Sequence, residues 1–293
     1  MVRQSIVTLS DGAQVLVRLL GESEDRSKPL LIALHGAPGM SSHLEPENSF
    51  GFLASRFRVL VYDARGSGES DPKPPLTDER WIADLDEIRT WAGEETFLLA
   101  GGSYGGFVAL GYTLAHPQRV TGLILRDTWA FGPRGAVRAA SNVARSTQLT
   151  TDPAQQVRLW SGTLRDDADF EATVADSLPI LAFKKPAGAV PAAGGGGAFE
   201  AAKMRFRYET HNAAFSYSMP RFDVRARLRE IRAPTLVVVG RHDPITPVED
   251  AEEIHAGIGG SVLAIFEYSG HSPPSEEREL FQERVWEFMN KIN

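Results

Sequence analysis

Apolar residues in this chain come in short unbroken runs more than in alternation. Pro29–Leu34, Arg58–Tyr62, Thr96–Ala100, Val120–Leu125, Thr235–Val239 and Val262–Phe266 each have the length of one strand. Runs with so little polar interruption predict strands buried on both faces, as in a mostly parallel sheet. The start of the chain differs. Val15-Leu16-Val17 lies in a short alternating segment after a turn at Asp11-Gly12, which predicts an antiparallel hairpin. Between the runs the pattern turns helical. Over Gly106–His116, Val108, Leu110, Tyr112 and Leu114 stand among small residues and predict a helix packed on the sheet. Strands alternating with helices predict an α/β fold with helices on both faces.

One gap breaks that rhythm. From Phe131 to Tyr217 no such strand run occurs, and the stretch is rich in Ala, Arg and Asp. It also holds Gly188-Ala189-Val190-Pro191 and the run Gly194–Gly197, which reads as a flexible loop. The expected organisation is a core of 1–130 and 218–293, with 131–217 inserted as a mainly helical cap.

Composition narrows the function classes. The formal net charge is −7 over 293 residues, which argues against a nucleic-acid partner. There is no cysteine, so disulfides and thiolate metal sites are excluded. No histidine–carboxylate set has metal-ligand spacing, and neither a metal nor a cofactor is expected. No run approaches the ~20 apolar residues of a membrane span. The first residues, Met1-Val2-Arg3-Gln4-Ser5, lack the apolar stretch of a signal peptide. The expectation is a soluble, cytoplasmic protein with a small-molecule or short-peptide substrate.

In an open parallel sheet, active residues gather where strands end. Here those ends carry His35, Asp63, Ser103, Asp127 and Asp243, with His271 after the last run. Ser103 stands in Gly101-Gly102-Ser103-Tyr104-Gly105, a G-x-S-x-G between a strand and a helix, which is the setting a nucleophile turn requires. A hydroxyl there needs a base, and His271 in Gly-His-Ser is the candidate. Asp243 would hold its imidazole in the reactive tautomer, with Asp127 as the rival acid. The Tyr104 amide is a candidate donor to the oxyanion. Asp63 and Arg65 read as turn-fixing residues, and His43 and His211 as possible pocket residues.

Four segments resemble the α/β-hydrolases, and among them the proline iminopeptidases and related serine hydrolases. His35-Gly36-Ala37-Pro38-Gly39 resembles their H-G-G-P-G loop, and Asp63 to Ser70 their D-x-R-G-x-G-x-S turn. Gly101 to Gly106 matches their nucleophile turn; Gly240 to Asp243 and Gly270 to Ser272 match their acid and base positions. The resemblance implies that Ala37 supplies the second oxyanion amide, a donor that Ala37→Pro would remove. It also implies a carboxylate, largely from the cap, for the ammonium group of an N-terminal proline. An ungapped count back from Phe222-Asp223-Val224 puts Asn212 where that glutamate would stand. Glu209, Glu45 and Glu47 are the other acidic candidates, with His211 nearby.

Three functions stay open at this point. The first is a serine hydrolase forming an acyl-enzyme on Ser103 from an ester, lactone or small amide, with a true iminopeptidase as its narrower form. The others are a carbon–carbon bond hydrolase using the same triad and a non-catalytic ligand receptor. An acid-lined cap would favour the amine substrate, and an apolar cap a lipophilic ester or lactone.

Overall fold

A computed structural model describes residues 2–21, 27–146, 152–183 and 204–292. Its strands are β1 (Val2–Thr8), β2 (Gln14–Leu20), β3 (Leu30–Leu34), β4 (Arg58–Tyr62), β5 (Phe97–Gly102), β6 (Val120–Arg126), β7 (Thr235–Gly240) and β8 (Val262–Phe266). They form one sheet in the order β1-β2-β4-β3-β5-β6-β7-β8. β2 pairs antiparallel with both β1 and β4, and every pairing from β4 to β8 is parallel. The opening hairpin and the parallel core both follow the hydrophobic pattern.

The helices are α1 (Leu44–Phe50), α2 (Asp78–Ala92), α3 (Tyr104–Ala115), α4 (Gly132–Ala144), α5 (Pro153–Ser161), α6 (Asp167–Leu181), α7 (Tyr208–Ala213), α8 (Val248–Gly257), α9 (Pro273–Glu276) and α10 (Arg278–Ile292). Successive strand side chains point to opposite faces, so each apolar run feeds two cores. Leu30, Ile32 and Leu34 of β3 join Leu85, Ile88, Phe107 and Leu110 from α2 and α3 on one face. Leu31 and Ala33 join Phe50, Phe281, Val285 and Met289 from α1 and α10 on the other. That double burial is why these strands tolerate no polar alternation.

The stretch between β6 and β7 holds α4 to α7 and short 3₁₀ and π turns, with no strand among its described residues. It has a small core of its own, where Leu159, Leu164, Phe170 and Val174 pack with Met40 from the loop after β3. The helices α5 and α6 start on capping aspartates. Asp152 accepts from the Ala154 amide and Asp166 from the Asp169 amide. Gly188–Pro191 and the four-glycine run Gly194–Gly197 lie outside the described residues. Among the described residues no helix is long and apolar enough to cross a membrane.

Candidate active site

Ser103 sits on the single residue between β5 and α3, with φ 52° and ψ −122°. Close approach of the backbones explains the strain. A Cβ on Gly101 would stand 2.3 Å from the Gly105 carbonyl oxygen, and one on Gly105 would stand 2.6 Å from that of His35. The glycines let strand, helix and the loop after β3 meet at one point, and the serine takes the sharp conformation between them. Its own backbone is anchored. The Ser103 amide donates to the Arg126 carbonyl at 2.9 Å, and Thr128 Oγ1 donates to the Ser103 carbonyl at 2.9 Å. The hydroxyl faces a cavity and makes no hydrogen bond among the described residues.

His271 follows β8 and lines the same cavity. Its Nδ1 donates to Asp243 Oδ2 at 2.7 Å. Asp243 is immobilised in turn: Oδ1 accepts from the Ile245 and Thr246 amides at 2.8 and 3.1 Å, and the Thr246 hydroxyl donates to Oδ2. Nδ1 therefore carries the proton and Nε2 is free to accept one. Burial works to lower the His271 pKa, but the charge and hydrogen bond of Asp243 outweigh it and hold it above the ordinary 6.5. Among the described residues no hydrogen bond joins Nε2 to Ser103, and contacts of this kind commonly tighten only with substrate bound.

The rival acid lies elsewhere. Asp127 follows directly on β6, fully buried, and its Oδ1 accepts from the Gly240 amide at 3.1 Å while Oδ2 accepts from Arg126 at 3.0 Å. Burial pushes it up to about 7; the Arg126 charge opposes that rise and the Asp243 charge adds to it. It makes no hydrogen bond to the imidazole.

Ala37 and Tyr104 both line the cavity, and neither amide has an acceptor among the described residues. Tyr104 opens α3, where the helix dipole favours negative charge. Ala37 has φ 39°, a left-handed conformation that suits the glycine of the motif it resembles better than alanine. That φ also corrects the Ala37→Pro idea. Proline is fixed near −65°, so the change would displace the loop rather than delete one donor. The loop is braced by His35, whose Nδ1 donates to the Gly36 carbonyl at 2.6 Å while Nε2 accepts from the Ala64 amide at 2.9 Å.

The substrate-contact candidates divide. Glu45 and His211 line the cavity. Glu45 Oε1 is held by Arg126, a buried guanidinium that also donates to the His271 carbonyl at 3.3 Å. His211 stacks on Phe215 with centroids 4.2 Å apart and donates from Nε2 to the Leu159 carbonyl at 2.9 Å. Burial pushes its pKa down to about 4, so the ring is neutral. The other three do not reach the cavity. Glu47 pairs with Arg18 at 3.2 Å, Glu209 is exposed, and Asn212 spends both ends of its amide on Leu164, at 2.9 and 2.8 Å. His43 is also absent, since Nδ1 bonds Asp63 at 2.8 Å. Asp63 and Arg65 hold turns: Asp63 also accepts from the Glu69 amide, and Arg65 makes paired 2.8 Å bonds to Asp84.

Two further residues, Thr246 and Arg126, and the apolar wall of the cavity matter that the sequence did not single out for a role. Thr246 stands one residue past the aspartate turn that Asp243 closes on Ile245, and its amide and hydroxyl both donate to that carboxylate. Arg126 was visible only as a strand end. The aromatic and aliphatic wall of Phe107, Trp129, Leu159, Trp160, Phe170 and Phe215 carries no signal that separates it from ordinary core.

Comparison with known proteins agrees with this architecture. The chain is 29% identical over 289 residues to the proline iminopeptidase PfmaB of Pestalotiopsis fici, covering 96% of this chain and 98% of that one. It is 29% identical over 278 residues to a proline iminopeptidase of Saccharolobus solfataricus, covering 89% and 85%. A crystal structure of a hydrolase from Pseudomonas aeruginosa superposes with a TM-score of 0.73 at 28% identity, over 98% of each chain. The model of the alpha/beta hydrolase fold family matches residues 29–277, most of the chain. With that match, and with the parallel sheet and the serine turn between β5 and α3, the chain belongs to the α/β hydrolase fold family.

Proposed function

We propose that this hydrolase cleaves carboxylic esters or lactones whose acyl part is uncharged and apolar, through an acyl-enzyme on Ser103. Ser103 Oγ attacks the carbonyl carbon as its proton passes to His271 Nε2. The same proton then goes to the departing alkoxide, and water repeats the sequence to release the acid. Asp243 holds the tautomer and stabilises the imidazolium. The Ala37 and Tyr104 amides receive the oxyanion. Residues 131–217 serve as the cap that excludes water during the acyl-enzyme step.

The observation that carries the substrate class is the character of the cavity. The insertion lines it with Val143, Leu159, Trp160, Phe170, Val174, Leu178 and Phe215, and contributes no acidic side chain among the described residues. Among the described residues the only carboxylate in the lining is Glu45, whose Oε1 is paired with Arg126. A substrate ammonium would enter a largely apolar space whose one described carboxylate is already ion-paired, at a cost of several kcal/mol.

The curated relatives favour a second reading, release of N-terminal proline. Parallel assays with p-nitrophenyl butyrate and proline p-nitroanilide separate the two. The ester is expected to be turned over with an initial burst that Ser103→Ala abolishes, and the anilide to be a poor substrate. A clear preference for the anilide would establish the iminopeptidase instead, and an active Ser103→Ala would reject the mechanism altogether.

A further inference from the structure

The loop that carries His271 leads into α9, whose first two residues, Pro273 and Pro274, bring no N–H. The amides on either side of the base are therefore the ones that need acceptors. Gly270 N and Ser272 N both donate to Glu276 Oε1, at 3.0 and 3.1 Å. The second oxygen of the same carboxylate, Oε2, accepts from the Phe183 amide at 2.6 Å. Phe183 lies just past the end of α6, in the insertion. That end also meets the loop directly, for the His271 amide donates to the Leu181 carbonyl at 2.7 Å. A Cβ on Gly270 would stand 2.2 Å from the same carbonyl, so the two backbones are in contact. The Phe183 ring stacks on His242, next to Asp243, with centroids 4.1 Å apart.

We propose that Glu276 is a positioning residue for the base: one oxygen holds the amides on both sides of His271, and the other ties that loop to the end of α6. The carboxylate touches no reacting atom. It sets where the imidazole stands between Asp243 and Ser103, and it makes the insertion part of that setting. The proposal rests on the reading of His271 as base.

Proton NMR of the His271 ring, assigned by its loss in His271→Gln, tests the geometry without reference to turnover. Asp243, Asp127 and Arg126 are the charged groups facing that ring, and all stay intact in the variants. In the parent the ring titrates above the ordinary value. In Glu276→Ala it is expected to fall back toward the ordinary value, as the contact with Asp243 loosens. For p-nitrophenyl butyrate, kcat falls on the order of tenfold while KM stays within about twofold. Glu276→Gln keeps an oxygen for the two loop amides, so it lies closer to the parent than to the alanine variant in both measurements. Should Glu276→Ala fail to fold, Glu276→Asp, one methylene short, is read in its place. An unchanged titration in the folded variant, or a glutamine variant as impaired as the alanine one, overturns the proposal. If Ser103→Ala leaves hydrolysis intact, the reading of the site fails, while the titration still decides the role of Glu276.

Discussion

At the scale of single residues, the site depends on one tautomer. Asp243 accepts four hydrogen bonds, from the Ile245 and Thr246 amides, the Thr246 hydroxyl and His271 Nδ1. An asparagine there can still take the two backbone amides on its oxygen, which turns its NH₂ toward the imidazole. Nδ1 must then accept, Nε2 carries the proton, and the base is lost with the fold intact. Asp243→Asn is expected to lower kcat about 10⁴-fold with a melting temperature near the parent's, whereas Asp127→Asn, which loses no contact with the ring, is expected to cost far less. Comparable losses in both would transfer the acid's role to the strand end. The raised His271 pKa also fixes a direction. The base must be unprotonated, so kcat/KM is expected to fall as pH drops through a value above 6.5, and a limb centred below 6.5 would contradict the Asp243 contact. Stability runs the other way: the histidine's contribution is full below its unfolded pKa near 6.5 and is lost as pH rises through the folded value. Ser103, Asp243 and His271 were legible because each has a motif or a strand end to mark it. Arg126 and Glu276 were not, because a charged residue that satisfies backbone groups looks like any surface charge until the chain is folded.

At the scale of elements, the apolar runs marked the strands because both faces are buried, and their ends moved for a local reason. β5 continues two residues past its apolar run, since Gly101 and Gly102 still pair with Leu125 and Arg126 on β6. The next helix begins at Tyr104, not at Gly106, because the two glycines in its first turn are demanded by close contacts, Gly105 with the His35 backbone and Gly106 with the Thr128 side chain, rather than by helix preference. The larger departure is Asn212. Counting back from Phe222 assumes a regular backbone, but the chain there runs through a π turn at Ala214–Ser218 and a 3₁₀ turn at Met219–Arg221. Irregular turns change which side chain faces the cavity, and it is His211 that does so. Asn212 instead closes the α5–α6 loop against α7 by bonding both polar groups of Leu164. Asn212→Ala leaves a backbone donor and acceptor unmatched, so about 1–3 kcal/mol of stability is expected to go. That is a fall of several degrees in melting temperature, measured by calorimetry, with KM for ester substrates unchanged. A KM that rises without loss of stability would return Asn212 to the substrate site.

At the scale of the whole molecule, the cavity belongs to neither layer alone. Phe107, Trp129 and Ile245 come from the sheet side, Met40 from the loop after β3, and Leu159, Phe170, Val174 and Phe215 from the insertion. No window of sequence contains more than a fraction of this wall, and its residues, whether on helices or in loops, read as ordinary apolar core. The enclosure could be read only once the two parts were placed together, whereas the polar end, with its serine and histidine, was visible from the strand ends. An apolar enclosure around a fixed nucleophile makes a graded prediction. Each methylene of an acyl chain that leaves water for this wall contributes about 0.8 kcal/mol, or roughly fourfold in kcat/KM, until the space is filled. Across p-nitrophenyl acetate, propionate, butyrate, hexanoate and octanoate, kcat/KM is expected to climb and then break at the length the wall accommodates. Adding a terminal carboxylate or ammonium of similar length reverses the gain, because that charge would be buried against a largely apolar wall where Glu45 and Arg126 are already ion-paired with each other. Phe170→Ala and Val174→Ala, which enlarge the insertion side, are expected to move the break to longer chains while leaving acetate turnover near the parent's. A flat series, or a break that does not move when these side chains are cut back, would mean that the acyl group lies outside this cavity and that specificity is set at the surface.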